Sequence, residues 1–370
     1  MKKLTDICDI QYGYAFDSKC FTEDSSYPPL VRIRDVKRGY SETYYSGDYP
    51  EEYILSAGDL LVGMDGEFNI ARWKCSGALL NQRVCKLAAK LGTNEEYLRF
   101  AMLKALKEIE QRTAFVTVKH LSAKELNKLE LDVPELSKQD MIADILNRLE
   151  KVIEVRREEL DKLDELIKAR FVELFGDINI NDKNWDCEPL GELCTIVRGG
   201  SPRPIEQFLG GDVPWIKIGD ATDGDNTYLR STKEHIIQEG VKKSRLVKAG
   251  SLIFANCGVS LGFARIITFD GCIHDGWLAM EDIDERLDKV FLLQALNQMT
   301  EHFRAIAPAG TQPNLNTTIM KAYKQVIPPI ELQKEYIRFT GQVNKSKFAV
   351  QKALDNAQLL FDSLMQKYFG

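Results

Sequence analysis

Two groups of polar side chains, one in each half of the chain, have the types and spacing to form hydrogen bonds with the edges of nucleic-acid bases. The first group has a basic run with an aromatic residue after a predicted strand, an amide pair and later basic residues: Arg32, Arg34, Lys37, Arg38, Tyr40, Asn81, Gln82, Arg83, Lys119 and His120. The second group comprises Arg198, Ser201, Arg203, Lys217, Asn256, His274, Thr311, Gln312 and Asn314. Asn and Gln can pair bidentately with adenine and Arg with guanine, whereas Lys and backbone amides hold phosphates. The alternative for each residue is an ordinary solvated side chain.

Motifs that would support catalysis are absent from the sequence. It has no Gly-x-x-x-x-Gly-Lys-Ser/Thr loop for ATP and no Gly-x-Ser-x-Gly nucleophile turn. The Pro-Pro segments at 27–30 and 327–330 lack the polar residue before and the aromatic residue after that amino-methyltransferases share. Cys272 and His274 come nearest to a metal-ligand cluster, but two ligands do not make a tetrahedral site. We therefore expect no catalytic residue, no metal and no cofactor in this chain.

The composition is that of a folded protein with two domains. The chain has 370 residues, more than one compact core usually contains. It has no apolar run that could span a bilayer and no secretory signal behind its first lysines, so we expect a cytoplasmic protein with reduced cysteines and no membrane partner. Binding to DNA without a partner requires clustered Lys and Arg to neutralise phosphates, so the net charge of −6 is unfavourable for a protein that binds DNA alone.

The second half of the sequence repeats the first half, which is the strongest pattern in the chain. The opening segment 4–13 has a counterpart at 190–199, and Ala-Gly-Asp-Leu-Leu at 57–61 matches Ala-Gly-Ser-Leu-Ile at 249–253. Three later landmarks recur 194 positions further along the chain: Pro134 and Pro328, Gln139 and Gln333, and Phe175 and Phe369. Two domains with the same scaffold are therefore predicted.

Each half is predicted to form a mixed α+β domain followed by a long helix. Short β-type runs broken by Gly, Pro, Asp and Asn precede helical stretches near 97–112 and 287–306. The predicted strands include 60–62, 84–87, 251–254 and 263–267. The resulting organisation has four segments: a first domain at 1–136, a central helix at 137–178, a second domain at 179–329 and a C-terminal helix at 330–370.

The two helical segments carry apolar residues at alternating spacings of three and four, which is typical of a coiled coil. The first seam consists of Leu146, Leu149, Ile153, Leu160, Leu163, Ile167 and Leu174. The second seam includes Val343, Val350, Leu354, Ala357, Phe361 and Leu364. A helix of nearly forty residues is about 55–60 Å long and is not stable alone with one apolar stripe. We expect the helices to pair in antiparallel orientation; the alternative is that each packs only on its own domain.

The order of β-rich domain, long helix, β-rich domain and long helix resembles the specificity subunits of type I restriction-modification systems. Several stretches also resemble recurring sequence motifs of that family, and they lie at 57–61, 80–84, 310–316 and 327–333. One motif alone is moderately specific for the family, whereas the ordered and duplicated set of motifs is highly specific for it and covers the whole chain.

The resemblance implies two target-recognition domains that each read one half of a split DNA sequence, held at a fixed spacing by the antiparallel coiled coil. It implies as partners double-stranded DNA, two DNA adenine methyltransferase subunits and restriction/translocase subunits, with S-adenosylmethionine, ATP and Mg²⁺ bound by those subunits. A helix of about 55 Å would space the domains by more than one duplex turn of about 34 Å. Since the domains differ at most polar positions, we expect an asymmetric target.

Two other functions stay open from the sequence. One is a coiled-coil adaptor that binds protein and no DNA, and the other is the specificity chain of a restriction system in which methylation and cleavage share one polypeptide. For the type I assignment, we expect the partner methyltransferases to supply most phosphate contacts. We expect much of the negative charge on solvated helix faces, for instance at Glu158, Glu159, Asp161, Asp164 and Glu165.

Overall fold

The computed structural model describes residues 1–112, 120–222, 226–258, 260–308 and 313–370. The chain divides into a first unit, Met1–Glu159 with Val350–Gly370, and a second unit, Leu160–Ala349. Both units combine short strands with helices, which confirms the predicted α+β class. Among the described residues, no helix has both the length and the apolar character needed to cross a membrane.

The first unit alternates strands and helices in the order β1 (Lys2–Lys3), α1 (Leu4–Ile7), β2 (Cys8–Tyr12), β3 (Phe21–Thr22), β4 (Leu30–Val31), α2 (Ile33–Val36), β5 (Tyr44–Tyr45), β6 (Ile54–Leu55), β7 (Leu60–Gly63), β8 (Asn69–Arg72), β9 (Ala78–Leu80), β10 (Val84–Ala89), α3 (Glu95–Arg112), α4 (Ala123–Lys128), β11 (Glu130–Leu131) and the start of α5 (Leu136–Phe175). Its main sheet has the order β2-β10-β7-β8, and all neighbours are antiparallel. A second sheet has the order β4-β9-β6, in which β4 is parallel and β6 antiparallel to β9. Two further pairs are β1 with β11 and β3 with β5.

Both faces of the main sheet in the first unit are buried, because successive residues of a strand point to opposite faces. In β7, Leu60 and Val62 pack with Phe100 of α3 in one apolar cluster. Leu61 packs with Trp73 in a second cluster. A strand buried on both faces is a continuous apolar run in the sequence, which explains why the prediction at this position is correct.

The second unit contains the end of α5, followed by β12 (Asp186–Pro189), α6 (Leu190–Leu193), β13 (Thr195–Arg198), β14 (Leu209–Ile216), β15 (Tyr228–Leu229), β16 (Glu234–Ile236), α7 (Gln238–Val241), β17 (Arg245–Val247), β18 (Leu252–Ala255), β19 (Ala264–Ile267), β20 (Gly271–Ile273), β21 (Trp277–Glu281), α8 (Lys289–Gln298), α9 (Thr300–Ile306), α10 (Thr317–Ala322), β22 (Lys324–Ile327) and the start of α11 (Ile330–Phe369). Its two larger sheets have the orders β13-β21-β18-β19-β15 and β16-β14-β20-β17, and β12 pairs with β22. As in the first unit, the central strand β18 divides its side chains between two apolar clusters.

The two units share one core scaffold, which confirms the duplication predicted from the sequence. The order β2-β10-β7-β8 corresponds to β13-β21-β18-β19, with antiparallel neighbours in both units. The order β4-β9-β6 corresponds to β14-β20-β17, with one parallel and one antiparallel neighbour in each. Ser122 and Asn316 occupy matching positions, since each side chain accepts a backbone hydrogen bond at the start of a short helix, at 3.2 and 2.9 Å.

A buried glutamine joins the start of α5 to the rest of the first unit. Gln139 is 1% exposed, and its side-chain oxygen accepts a hydrogen bond from the backbone N–H of Asn94 at 2.9 Å. Its side-chain nitrogen donates to the carbonyls of Pro134 at 2.8 Å and Gly92 at 3.2 Å. One side chain therefore satisfies three backbone groups, two in the loop before α3 and one in the segment before α5.

Gln333 makes the same connections at the start of α11 in the second unit. It is fully buried, and its oxygen accepts a hydrogen bond from the backbone N–H of Asp288 at 2.8 Å. Its nitrogen donates to the carbonyls of Pro328 at 2.7 Å and Arg286 at 2.8 Å. The identical pattern explains why this residue type recurs at matching positions of the two halves.

The long helices α5 and α11 contribute to both units. The seam residues that are buried are Leu146, Ile153, Val343, Val350, Ala357 and Phe361. The half-buried ones are Leu149, Leu160, Leu163, Ile167, Leu174, Leu354 and Leu364. Within the second unit, ion pairs join Asp164 to Lys347 and Arg170 to Glu335. The α5 residue moves from 164 to 170 while its ion-pair partner in α11 moves back from 347 to 335. These helix segments are therefore antiparallel, in agreement with the sequence prediction.

Each unit also packs one long helix against a helix that covers its sheet. In the first unit, the ring of Phe361 in α11 lies 6.0 Å from that of Phe100 in α3. In the second unit, Phe171 in α5 stacks on Phe291 in α8 at 5.9 Å. The alternative in which each helix packs only on its own domain is therefore wrong.

Replacement of Gln139 or Gln333 by Leu should lower the free energy of unfolding by about 2–4 kcal/mol. The substitution leaves a buried N–H and buried carbonyls unpaired, each at a cost of about 1–3 kcal/mol before relaxation. Urea denaturation monitored by circular dichroism measures the effect. The control is Gln351→Leu, on an exposed face of α11, which should change stability by about 0.5 kcal/mol at most. Equal effects of all three substitutions would contradict the role assigned to the buried pair.

Candidate nucleic-acid interface

Five of the predicted residues of the first unit line one surface pocket of about 430 Å³. The lining consists of Phe16, Ser18, Phe21, Arg32, Ile33, Arg34, Asn81, Gln82 and Arg83. Three of these side chains are arginines and none is acidic, so the pocket is locally positive on a chain whose net charge is −6. A positive, concave surface with amide groups is suited to an anionic ligand that also presents hydrogen-bonding edges.

The basic run after β4 is held by a buried carboxylate. Asp35 is 2% exposed and accepts hydrogen bonds from the backbone N–H of Arg32 at 2.9 Å and the hydroxyl of Ser41 at 3.0 Å. The Arg34 side chain is 60% exposed, and Arg38 and Tyr40 are exposed as well. The cationic side chains of this segment are therefore exposed to solvent, while the buried Asp35 carboxylate holds its backbone in place.

The loop after β9 is positioned by a close approach of two backbones. A Cβ atom at Gly13 would overlap the carbonyl oxygen of Asn81, and a Cβ at Gly199 would overlap that of His274. The N–H of Gly13 donates to the carbonyl of Val84 at 3.0 Å, and the second unit has the corresponding bond at 2.9 Å. Only glycine permits this contact, and it places the loops 81–83 and 274–276 at the same point of the two scaffolds.

Asp65 forms the base of the site in the first unit, and the sequence interpretation missed it. Its side chain is 8% exposed and pairs with both Arg83 and His120, whose side chains are 57% and 53% exposed. Burial alone would raise the pKa of Asp65, but the hydrogen bonds from His120 and Arg83 outweigh burial and lower that pKa. An ionised carboxylate therefore holds two predicted DNA-contacting side chains together.

Asp275 lies at a different position of the second unit, in the loop 274–276, and gathers four predicted residues. Its carboxylate accepts a hydrogen bond from the Ser201 hydroxyl at 2.7 Å and lies 3.0 Å from Nε2 of His274 and 3.5 Å from Nη2 of Arg203. The Nε of Arg198 donates to the backbone carbonyl of Asp275 at 3.1 Å. Burial would raise the pKa of this carboxyl, but the Ser201 hydrogen bond and the neighbouring His274, Arg203 and Arg198 lower it.

His274 is partly withdrawn from solvent in this cluster. Burial lowers its pKa, Lys217, Arg203 and Arg198 lower it further, and Asp275 opposes them. The ring Nδ1 accepts a hydrogen bond from the backbone N–H of Gly276 at 2.9 Å, which fits a neutral imidazole with its proton on Nε2. Both ring nitrogens are therefore engaged within the protein, since Nε2 faces Asp275 at 3.0 Å, and the neutral ring exerts no charge attraction on phosphate.

Other predicted residues lie elsewhere or serve the fold. Asn81 is 7% exposed, and its side-chain oxygen accepts the N–H of Gln82 at 2.9 Å. Asn256 is fully buried and donates to Asn314 at 3.1 Å. Lys37 and Lys217 form ion pairs with Glu67 and Glu234, which would have to open before either lysine held a phosphate. The predictions at Lys119, Thr311 and Gln312 lie outside the described residues.

The chain belongs to the family of the type I restriction modification DNA specificity domain, whose model matches residues 1–165 and 182–357. It is 27% identical over 413 residues to the type I restriction enzyme EcoBI specificity subunit of Escherichia coli, an alignment that covers 98% of this chain and 83% of that protein. The fold is similar to the S subunit of the type I restriction-modification system from M. genitalium, with a TM-score of 0.61, 16% identity and coverage of 100% and 95% of the two chains. A chain from a structural study of complex assembly and conformational transition in the type I R-M system gives a TM-score of 0.60 at 17% identity, with coverage of 99% and 96%.

The pKa of His274 should lie below its ordinary value and respond in opposite directions to two substitutions. Asp275→Asn removes the neighbour that raises the pKa, so the value should fall further, whereas Arg203→Gln removes a repelling cation and should raise it. Since the folded form binds protons more weakly than the unfolded form, this group makes the fold lose stability as pH falls below about 6.5. An NMR titration of the histidine Cε1–H signals measures these values, and the chain has four histidines. A higher pKa in the Asp275→Asn variant would contradict this arrangement.

Proposed function

We propose that this chain is the DNA specificity subunit of a type I restriction-modification complex, and that each unit reads one half of a bipartite, asymmetric target. The supporting observation is that the two candidate sites occupy matching places on the duplicated scaffold but carry different side chains. The first loop exposes Gln82 and Arg83, whereas the second carries the half-buried His274 and Asp275. Because amide, guanidinium and imidazole groups pair with different base edges, the two loops favour different half-sites.

The local charge of the first site supports direct contact with DNA. The pocket lined by Arg32, Arg34 and Arg83 has no carboxylate among its described lining residues, although the whole chain is acidic. Exposed carboxylates do occur on α5, for instance at Glu158, Asp161 and Glu165, but Lys and Arg residues of the same helix offset most of them. The expectation that the long helices hold much of the negative charge is therefore wrong. Base recognition needs a few well-placed donors and acceptors, whereas affinity comes mainly from phosphates. We therefore assign base recognition to this chain and most phosphate contacts to its partners.

The remaining chemistry of the complex is assigned to other subunits. Two DNA adenine methyltransferase subunits would bind S-adenosylmethionine and transfer the methyl group, and restriction/translocase subunits would bind ATP and Mg²⁺. This chain would supply no catalytic group and would act in the cytoplasm. The proposal draws on the family to which the chain belongs, and the EcoBI relative named above is itself a specificity subunit of a type I restriction enzyme.

Expression of this chain together with a type I DNA adenine methyltransferase that assembles with it should produce adenine methylation at one split DNA motif. The methyltransferase expressed alone is the control and should leave that motif unmodified. Long-read sequencing of host DNA measures methylation at every adenine. A complex that assembles but yields the same methylome as the methyltransferase alone would contradict the proposal and favour a protein-binding adaptor.

Replacement of 185–327 by the corresponding segment of a relative should change one half of the motif and leave the other half intact. This outcome is expected because the exchanged segment carries the whole Asp275 cluster and none of the Asp65 cluster. The same methylome measurement gives the result. A hybrid that changes both halves would show that the two units do not recognise DNA independently.

A further inference from the structure

The cluster around Asp65 has a geometry that a solvated surface arginine does not have. Asp65 follows the end of β7 and is nearly buried, while Arg83 comes from the loop before β10 and His120 from the segment before α4. Three separate parts of the first unit thus meet at one carboxylate. The backbone of Asp65 also forms an isolated antiparallel bridge with that of His120, so the carboxylate is fixed from two sides.

Arg83 is restrained at its backbone as well as at its guanidinium. It has a φ of 70°, a left-handed conformation that is uncommon for a residue other than glycine. Its carbonyl accepts a hydrogen bond from the N–H of Met64 at 2.8 Å, next to Asp65 in the chain. The guanidinium pairs with Asp65 through Nη1, while the side chain stays 57% exposed at the pocket. The remaining donors of the planar group are therefore available in a fixed orientation.

We propose that Asp65 is a positioning residue that orients Arg83 for bidentate recognition of a guanine in the first half of the DNA target. This inference rests on the proposed function. Arginine paired with the O6 and N7 atoms of guanine is the commonest specific contact in the major groove, and it requires two donors in one plane. Asp65 is too deeply buried to contact a base itself. Its negative charge also reduces the attraction of Arg83 for phosphate, so the arginine is better suited to a base than to the backbone.

The two matching positions of the second unit, both among the described residues, carry other residue types. Cys257 occupies the place of Asp65, since it forms the isolated bridge with Asn314 that Asp65 forms with His120. Gly276 occupies the place of Arg83, since its carbonyl accepts the N–H of Asn256 at 3.0 Å. A guanine contact from this place of the scaffold is therefore expected in the first half of the target and not in the second.

Two substitutions test the proposal in the assembled complex with its methyltransferase. Asp65→Asn keeps the shape of the side chain and removes its charge, and Arg83→Lys keeps the positive charge and removes the planar fork. Both variants should lose preference for guanine at the same single position of one half-site. The expected loss is about ten- to a hundredfold in relative methylation rate for guanine over the other bases there. The readout is methylation of a DNA library in which each position of the motif is varied.

Asp59→Asn is the matched control, because Asp59 is a half-buried carboxylate of the same unit that pairs with Lys86 outside the pocket. It should leave every base preference unchanged. A uniform loss of methylation across all sequences in Arg83→Lys, or unchanged preference in both variants, would overturn the proposal. If thermal unfolding shows that Asp65→Asn does not fold, Asp65→Glu replaces it; this variant keeps the charge but displaces it, and it should weaken the same guanine preference. Failure of the proposed function itself looks different, because the wild-type complex would then show no split motif.

Discussion

The architecture of each unit depends on a single buried amide at the start of a long helix. Gln139 and Gln333 each join the first turn of that helix, the turn before it and the start of a helix that covers the sheet. A buried amide whose oxygen and nitrogen are both engaged has one acceptable orientation, because rotation would leave polar groups unpaired. These bonds attach the first turn of the long helix to the two neighbouring segments, and apolar packing further along the helix adds stability.

The scaffold could be predicted from the sequence because its signals are local. Apolar runs mark the strands β7, β10, β18 and β19, a heptad seam marks α5 and α11, and the fixed offset between the halves marks the duplication. The division of the long helices between two units could not be predicted. A heptad seam specifies an apolar stripe but not every surface that covers it, and the contact of Phe361 with Phe100 depends on how α3 lies on the sheet.

The candidate site could be predicted only in part. Residue type and position in a loop identify Arg32, Arg34, Gln82 and Arg83 as exposed polar groups, and the structure places them around one pocket. The same criteria include Asn256, which is buried and bonded within the fold. The same criteria leave out Asp65 and Asp275, because carboxylates repel phosphate and are not expected to contact DNA. Each of these carboxylates acts by pairing with basic side chains from other segments of the chain. That proximity exists only in the folded structure, and no spacing in the sequence predicts it.

The close approach of Gly13 and Gly199 to the loops they support has an evolutionary consequence. These contacts, and the hydrogen bonds beside them, involve main-chain atoms and not the side chains at 82, 83 or 275. Mutations at the tips of the loops can therefore accumulate without disturbing the frame beneath. When new DNA targets are selected, substitutions in these loops should therefore alter recognition with little loss of folding stability.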